Sequence, residues 1–207
     1  MPHRSHLEKD KTLRRLMALQ DKHVIEKRNH IYLRLCASII SQQLSTKVAE
    51  VIYNRFLSLF KKKTPSAKEI RAIDIETYRS IGFSYAKAQY IHNVCDFFIE
   101  HTLTDARLHK MSDIDLIDLF TQIKGVGRWT AEMILMFTLG REDVFAADDL
   151  VIRQTIAKAY KLDITDKKMM AAEMTRISEK WKPYRTYACK YLWGWRDDPD
   201  PSGETKK

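Results

Sequence analysis

Residues 123–135 read IKGVGRWTAEMIL, placing Gly125 and Gly127 just ahead of a tryptophan and a strongly helical run, in a chain that has only six glycines. Upstream, DIDLIDLFTQI (113–123) carries apolar residues at helical spacing, and downstream RWTAEMILMF (128–137) does the same. KGVG (124–127) is then a tight turn between two helices, a helix-hairpin-helix. Glycine suits such a turn for two reasons. It permits positive φ, and it leaves no Cβ between the backbone and whatever approaches. The amides of Gly125, Gly127 and Arg128 would lie at a helix N-terminus, where the positive end of the dipole suits a phosphate oxygen. A plain αα-hairpin, with glycines serving only as caps, fits the same letters.

Outward from the hairpin, the periodicity stays helical. Ile31, Leu35, Ile39 and Ile40 lead into Leu44, and after a break near Ser45 the pattern resumes with Val48, Val51, Ile52, Phe56 and Leu59. Ser66 with Glu69 reads as a capping box, Ser84 as a cap, and Ser112 with Asp115 opens the helix before the hairpin. Further helices are expected over about 149–160, 166–181 and 183–193, the last with Pro183 in its first turn. No convincing strand or Asn-Gly hairpin is present. The expected fold is all-α, with residues 1–195 forming one domain and DDPDPSGETKK (197–207), with Arg196, a solvated, disordered tail.

Composition narrows the function classes. Of 207 residues, 36 are Lys or Arg against 27 Asp or Glu, a formal charge of +9, which favours a polyanionic partner and also fits simple solubility. Cys36, Cys95 and Cys189 lie far apart, which argues against a disulfide framework, a cysteine-rich zinc site or an iron–sulfur cluster. The seven histidines show no metal-ligand spacing. No apolar stretch approaches membrane-spanning length and the amino terminus lacks a signal core, so a soluble protein is expected.

REDVFAADDLVIRQ (141–154) delivers two adjacent carboxylates, Asp148 and Asp149, to the start of a helix. Both could be ordinary caps. A carboxylate held there is also a fixed anion, which is what a developing sugar cation needs.

Four segments together, SIISQQLSTKVAEVIYNRF (38–56), GFSYAKAQYI (82–91), the hairpin through DVFAADDLVIRQ, and WKPYRTYACKYLWGW (181–195), resemble the helix-hairpin-helix (HhH-GPD) DNA glycosylases, and within them the DNA-3-methyladenine glycosylase II group. The resemblance spans roughly residues 31–195. It implies two intertwined helical lobes with an active-site cleft between them, a monofunctional base-excision enzyme, and a partner in double-stranded DNA containing damaged bases. It places the catalytic aspartate at Asp149 and leaves Asp148 as a structural cap. Strand-cleaving members carry lysine where Trp129 stands. Trp129 and Trp193 would stack on a flipped cationic purine, an interaction of roughly 0.5–2 kcal/mol, with Met133 and Leu150 as softer walls; core packing is the plainer alternative for both rings. Gln43 would plug the vacated stack with Leu44 wedged beside it, although a surface amide and a staple fit those positions too.

Lys124, Gly125, Val126, Gly127, Arg128 and Thr130 are the expected backbone-contacting residues, with Lys87 and Arg153 as further candidates for neutralising phosphate. Lys124 replaces the proline common before the first hairpin glycine. The resemblance also implies that no cofactor is required, that no iron–sulfur cluster is present, and that the carbonyls of Thr121, Ile123 and Val126 hold a structural Na+ or K+. The roughly thirty residues before Ile31 are too few for the amino-terminal β domain of the larger bacterial member. A monomer is expected, cytoplasmic and nucleoid-associated in a bacterium or nuclear in a eukaryote. A deaminated or mispaired base as substrate, or a non-catalytic DNA-binding protein using the same hairpin, are the readings that compete with it.

Overall fold

In a computed structural model, which describes residues 1–196 except 19 and 164, the chain is helical throughout with no strand among the described residues. The elements are α1 (Pro2–Leu7), α2 (Lys11–Ala18), α3 (Ile31–Ser41), α4 (Thr46–Ser58), α5 (Ala67–Arg71), α6 (Ile75–Ser80), α7 (Tyr85–Glu100), α8 (Asp105–Lys110), α9 (Asp113–Thr121), α10 (Arg128–Phe137), α11 (Leu150–Tyr160), α12 (Lys167–Glu179) and α13 (Arg185–Arg196). They form two compact units. One is the continuous stretch Lys27–Leu139; the other joins Met1–Glu26 to the chain from Gly140 onward.

Local chemistry sets many of these boundaries. Ser66 and Glu69 make the expected reciprocal capping box on α5, Ser84 accepts the Lys87 amide at the start of α7, and Ser112 accepts the Asp115 amide at the start of α9. Each cap satisfies an amide that the first helical turn leaves without a partner, worth about 1 kcal/mol. In the first unit, α3, α7 and α10 bury Ile31, Leu35, Ile39, Ile91, Val94, Leu135 and Met136. In the second, α2 packs on α13 through Leu13, Leu16 and Met17.

Pro183 does not sit in a helical first turn. It follows a cis Lys182–Pro183 peptide in a turn where the Tyr184 amide donates to the Trp181 carbonyl at 2.7 Å, and α13 begins at Arg185. The Arg185 amide instead donates to the Asp143 carboxylate at 3.3 Å, a partner supplied by a distant segment. The helix also runs past Trp193 to Arg196, so that the expected tail loses its first residue to α13; 197–207 lie outside the described residues.

Candidate active site

The hairpin turn is closed by the Val126 amide donating to the Ile123 carbonyl at 2.9 Å, with Gly125 at φ +104°. That bond and a positive φ at the third residue are the signature of a type II turn, whose second position favours proline. Lys124 occupies that second position, which explains how it can stand where proline is common. The two glycines serve different ends. Gly125 needs its positive φ, and a Cβ there would fall on the Tyr90 ring of α7. Gly127 has an ordinary φ of −90°, and a Cβ built on it meets nothing within 4 Å. Among the described residues nothing would obstruct a side chain at 127.

Around this turn, Asn93 of α7 donates to the Lys124 carbonyl at 3.0 Å, and the Gln42 side chain donates to the Gly125 carbonyl at 3.3 Å. The amides of Gly127 and Arg128 lead α10 at the positive end of its dipole. For two of the expected contact residues the side chain is buried. Val126 and Thr130 are 4% and 3% exposed, so their side chains pack inward and only their main chain can meet a ligand. Val126 anchors the turn, and Thr130, three residues past the N-cap, falls on the core face of α10. Lys124 is exposed, and Arg128 is exposed but engaged, its Nε 3.0 Å from the Glu132 carboxylate one turn on, itself almost fully buried. Arg153 is half-buried on α11.

Lys87 is not placed as a phosphate ligand. Its ammonium donates to the Ile40 and Gln42 carbonyls at 2.8 and 2.7 Å, and burial pushes its pKa down. Gln43 is exposed in the turn between α3 and α4, in the left-handed region at φ 59°, and Leu44 beside it is half-buried. A non-glycine residue costs roughly 1–2 kcal/mol in that conformation. Trp129 is 42% exposed despite its size, with Met133 half-buried one turn later on the same face of α10.

The aspartate pair is resolved in an unexpected way. Asp149, not Asp148, caps α11: its Oδ1 accepts the Ile152 amide at 2.9 Å, while Asp148 is exposed and does not cap. The helix starts at Leu150, so the residue immediately before it is the one whose carboxylate reaches the N3 amide. Asp149 is 7% exposed, and the same Oδ1 also accepts the Trp193 indole N–H at 3.0 Å. Trp193 therefore meets Asp149 through its indole N–H, a contact separate from the stacking expected of its ring. Leu150, 66% exposed, follows directly.

A set of long-range bonds holds the loop that delivers this carboxylate. Arg185 grips Asp143 through two parallel bonds at 2.8 and 2.9 Å. Buried Thr186 donates its hydroxyl to the Arg141 carbonyl at 2.7 Å and accepts the Val144 amide at 3.0 Å. Tyr187 donates to Glu142 at 2.9 Å, and burial together with that carboxylate pushes its phenol pKa up to about 12. Sequence reasoning gave Arg185, Thr186 and Tyr187 no task, because their partners lie more than forty residues away and no local spacing marks them.

Trp193→Phe separates the two uses of this ring. On the expectation that Asp149 is the catalytic aspartate, phenylalanine, which keeps a stacking face and loses the N–H to Asp149, should slow single-turnover base excision roughly tenfold, about 1.4 kcal/mol, with duplex affinity unchanged. An unaltered rate would show that the bond to Asp149 is passive.

The model for the HhH-GPD superfamily base excision DNA repair proteins matches residues 36–183. The chain is 39% identical over 164 residues to DNA-3-methyladenine glycosylase 1 of Schizosaccharomyces pombe, covering 78% of this chain and 71% of that protein. The solved structure of the S. pombe 3-methyladenine DNA glycosylase Mag1 in complex with abasic DNA superposes with a TM-score of 0.81 at 35% identity, over 93% of this chain and 95% of that one. A DNA-3-methyladenine glycosidase structure from Bacillus halodurans gives a TM-score of 0.82 at 29% identity, over 96% and 90%. With a family model matching most of its length and a relative 39% identical over 78% of it, the chain belongs to the HhH-GPD superfamily of base excision DNA repair proteins.

Proposed function

We propose that the protein is a monofunctional DNA glycosylase that removes alkylated purines such as 3-methyladenine from double-stranded DNA. The observation that carries this reading is Asp149, a nearly buried carboxylate held by two donors on one oxygen, in a chain 39% identical to an S. pombe enzyme named for that activity.

Chemistry on such a substrate needs little acid catalysis. The alkylated base is already cationic, so the bond from the sugar C1′ to the base nitrogen breaks with its electron pair leaving on the base, which departs neutral. Positive charge then develops over C1′ and the ring oxygen. A fixed carboxylate stabilises that charge without reorganising, a term of about 2.7–4 kcal/mol in comparable preorganised sites. Water adds through its oxygen to C1′ and releases one proton to solvent water, giving an abasic sugar in an intact strand. Trp129 offers its exposed ring to the extruded cationic base, Met133 and Leu150 supply soft apolar surface, and Gln43 with Leu44 fills the gap left in the stack. The hairpin main chain at Gly125, Gly127 and Arg128 and the Lys124 ammonium bind phosphate.

A monovalent cation suits the hairpin chemically. Thr121 ends α9, where helix carbonyls face outward at the negative end of the dipole, and the Ile123 carbonyl retains one lone pair beyond its bond to Val126. Neutral carbonyls of Thr121, Ile123 and Val126 are donors that Na+ or K+ accepts. Bound there, the ion would add positive charge beside the phosphate-binding amides.

Strand cleavage would need an amine at the position of Trp129 to attack C1′ and form an imine, and the indole nitrogen's lone pair belongs to its ring. The expected product is therefore an intact strand carrying an abasic site, broken only after alkali. Borohydride present during turnover should trap no protein–DNA adduct. An adduct abolished by replacing a lysine would place the protein among strand-cleaving enzymes instead.

A further inference from the structure

We propose that Lys87 is a positioning residue for base extrusion, its ammonium clamping the end of α3 so that the following turn projects Gln43. The inference rests on the reading of Gln43 as the side chain that fills the vacated stack.

Helix α3 ends at Ser41 with Gln42 as its C-cap, so Gln43 stands where a helix commonly places a left-handed glycine. That glycine normally closes the helix on itself, its own amide bonding the carbonyl three residues back and the next amide bonding the carbonyl one residue before that. Here that closure is replaced. The Leu44 amide turns to Ser41 at 3.2 Å, and the Ile40 carbonyl, the one a closing turn would use, is taken by Lys87 from α7. The same ammonium holds the Gln42 carbonyl, and the Gln42 side chain then bonds the Gly125 carbonyl of the hairpin. A cation at a helix C-terminus is favoured by the dipole as well as by the unsatisfied carbonyls.

One side of α7 thus supports both DNA-facing turns. Lys87 fixes the turn that carries Gln43, while Tyr90 and Asn93 fix the hairpin. Without the ammonium, two carbonyls lose their donor and the turn that holds Gln43 in the left-handed conformation is left with the Leu44–Ser41 bond and the Gln42 side chain. Lysine is suited to the task because its flexible stem carries three donors to two carbonyls whose directions differ.

The test reads insertion of the plug directly. A duplex carrying a tetrahydrofuran abasic analogue beside 2-aminopurine reports unstacking by fluorescence, independently of catalysis. Gln43→Ala should weaken the unstacked state on the order of tenfold, Lys87→Met should weaken it similarly, and the double variant should be no worse than either alone. Affinity of Lys87→Met for undamaged duplex, and its salt slope, should match wild type. Lys87→Gln, which keeps one donor, is read in its place should the methionine variant melt below the assay temperature. If Gln43→Ala behaves as wild type, the reading of Gln43 fails. If Gln43→Ala is impaired but the Lys87 variant is not, or their effects add, Lys87 does not act through Gln43. A weaker and less salt-dependent affinity for undamaged duplex would make Lys87 a phosphate ligand and overturn the proposal.

Discussion

Asp149→Asn should leave a folded protein that binds duplex as tightly as wild type and excises 3-methyladenine about 10²–10³-fold more slowly. The reason lies in which atoms do what. Asn keeps an oxygen able to accept the Ile152 amide and the Trp193 indole, so the cap of α11 and the local geometry survive. What it removes is the negative charge to which the proposed reaction assigns stabilisation of the sugar cation. Asp148→Asn supplies the control, since Asp148 is exposed and caps nothing; its turnover should stay within a few-fold of wild type. Single-turnover base release, with duplex affinity measured in parallel, checks both. An Asp149→Asn variant excising at the wild-type rate would remove Asp149 from the chemistry and leave it a helix cap.

The second large effect is expected in the hairpin, where the two glycines should fail differently. Gly125→Val forces a β-branched residue to φ +104° and drives its Cβ into Tyr90, so the turn itself must break. Loss of thermal stability by several degrees and loss of duplex binding should come together. Gly127→Val meets neither obstacle, because its backbone is ordinary and the space beside it is open. It should melt near wild type while binding damaged and undamaged duplex more weakly, since phosphate contacts carry no sequence information. Its log–log salt slope should be shallower by about 0.9 for each phosphate that the hairpin no longer neutralises. Equal melting losses at both positions would mean that Gly127 is structural. Normal binding by Gly127→Val would mean that the hairpin does not hold the DNA backbone.

The hairpin was legible because its determinants are local. Apolar residues at helical spacing, caps three residues from their amides, and a glycine where a turn needs positive φ all leave marks within a few positions. The aspartate pair was legible as a helix start, although the cap was assigned to Asp148: counting back from α11 by one residue makes Asp149 the cap and leaves Asp148 exposed. The environments of Lys87, Val126 and Thr130 were not legible, for a shared reason. Residue type near a DNA-facing motif suggests contact, whereas burial and distant carbonyls decide it. The Arg185–Asp143 and Thr186–Val144 bonds that steady the Asp149 loop could not be seen at all, since each joins segments some forty residues apart. The amino-terminal helices illustrate the opposite case. Leu13, Leu16 and Met17 have helical spacing, but eight residues are too few to distinguish a helix by pattern before its packing on α13 is known.

The central claim is that this chain cleaves the bond between sugar and damaged base. Its most direct test is chromatographic measurement of free base released from a panel of duplexes carrying 3-methyladenine, a deaminated base, a mispair or no damage. The expected result is release of free 3-methyladenine from the methylated duplex in preference to every other member, leaving an abasic site in an unbroken strand. Preferential release of the deaminated or mispaired base would contradict the substrate assigned here, and tight duplex binding with no free base from any member would contradict catalysis itself.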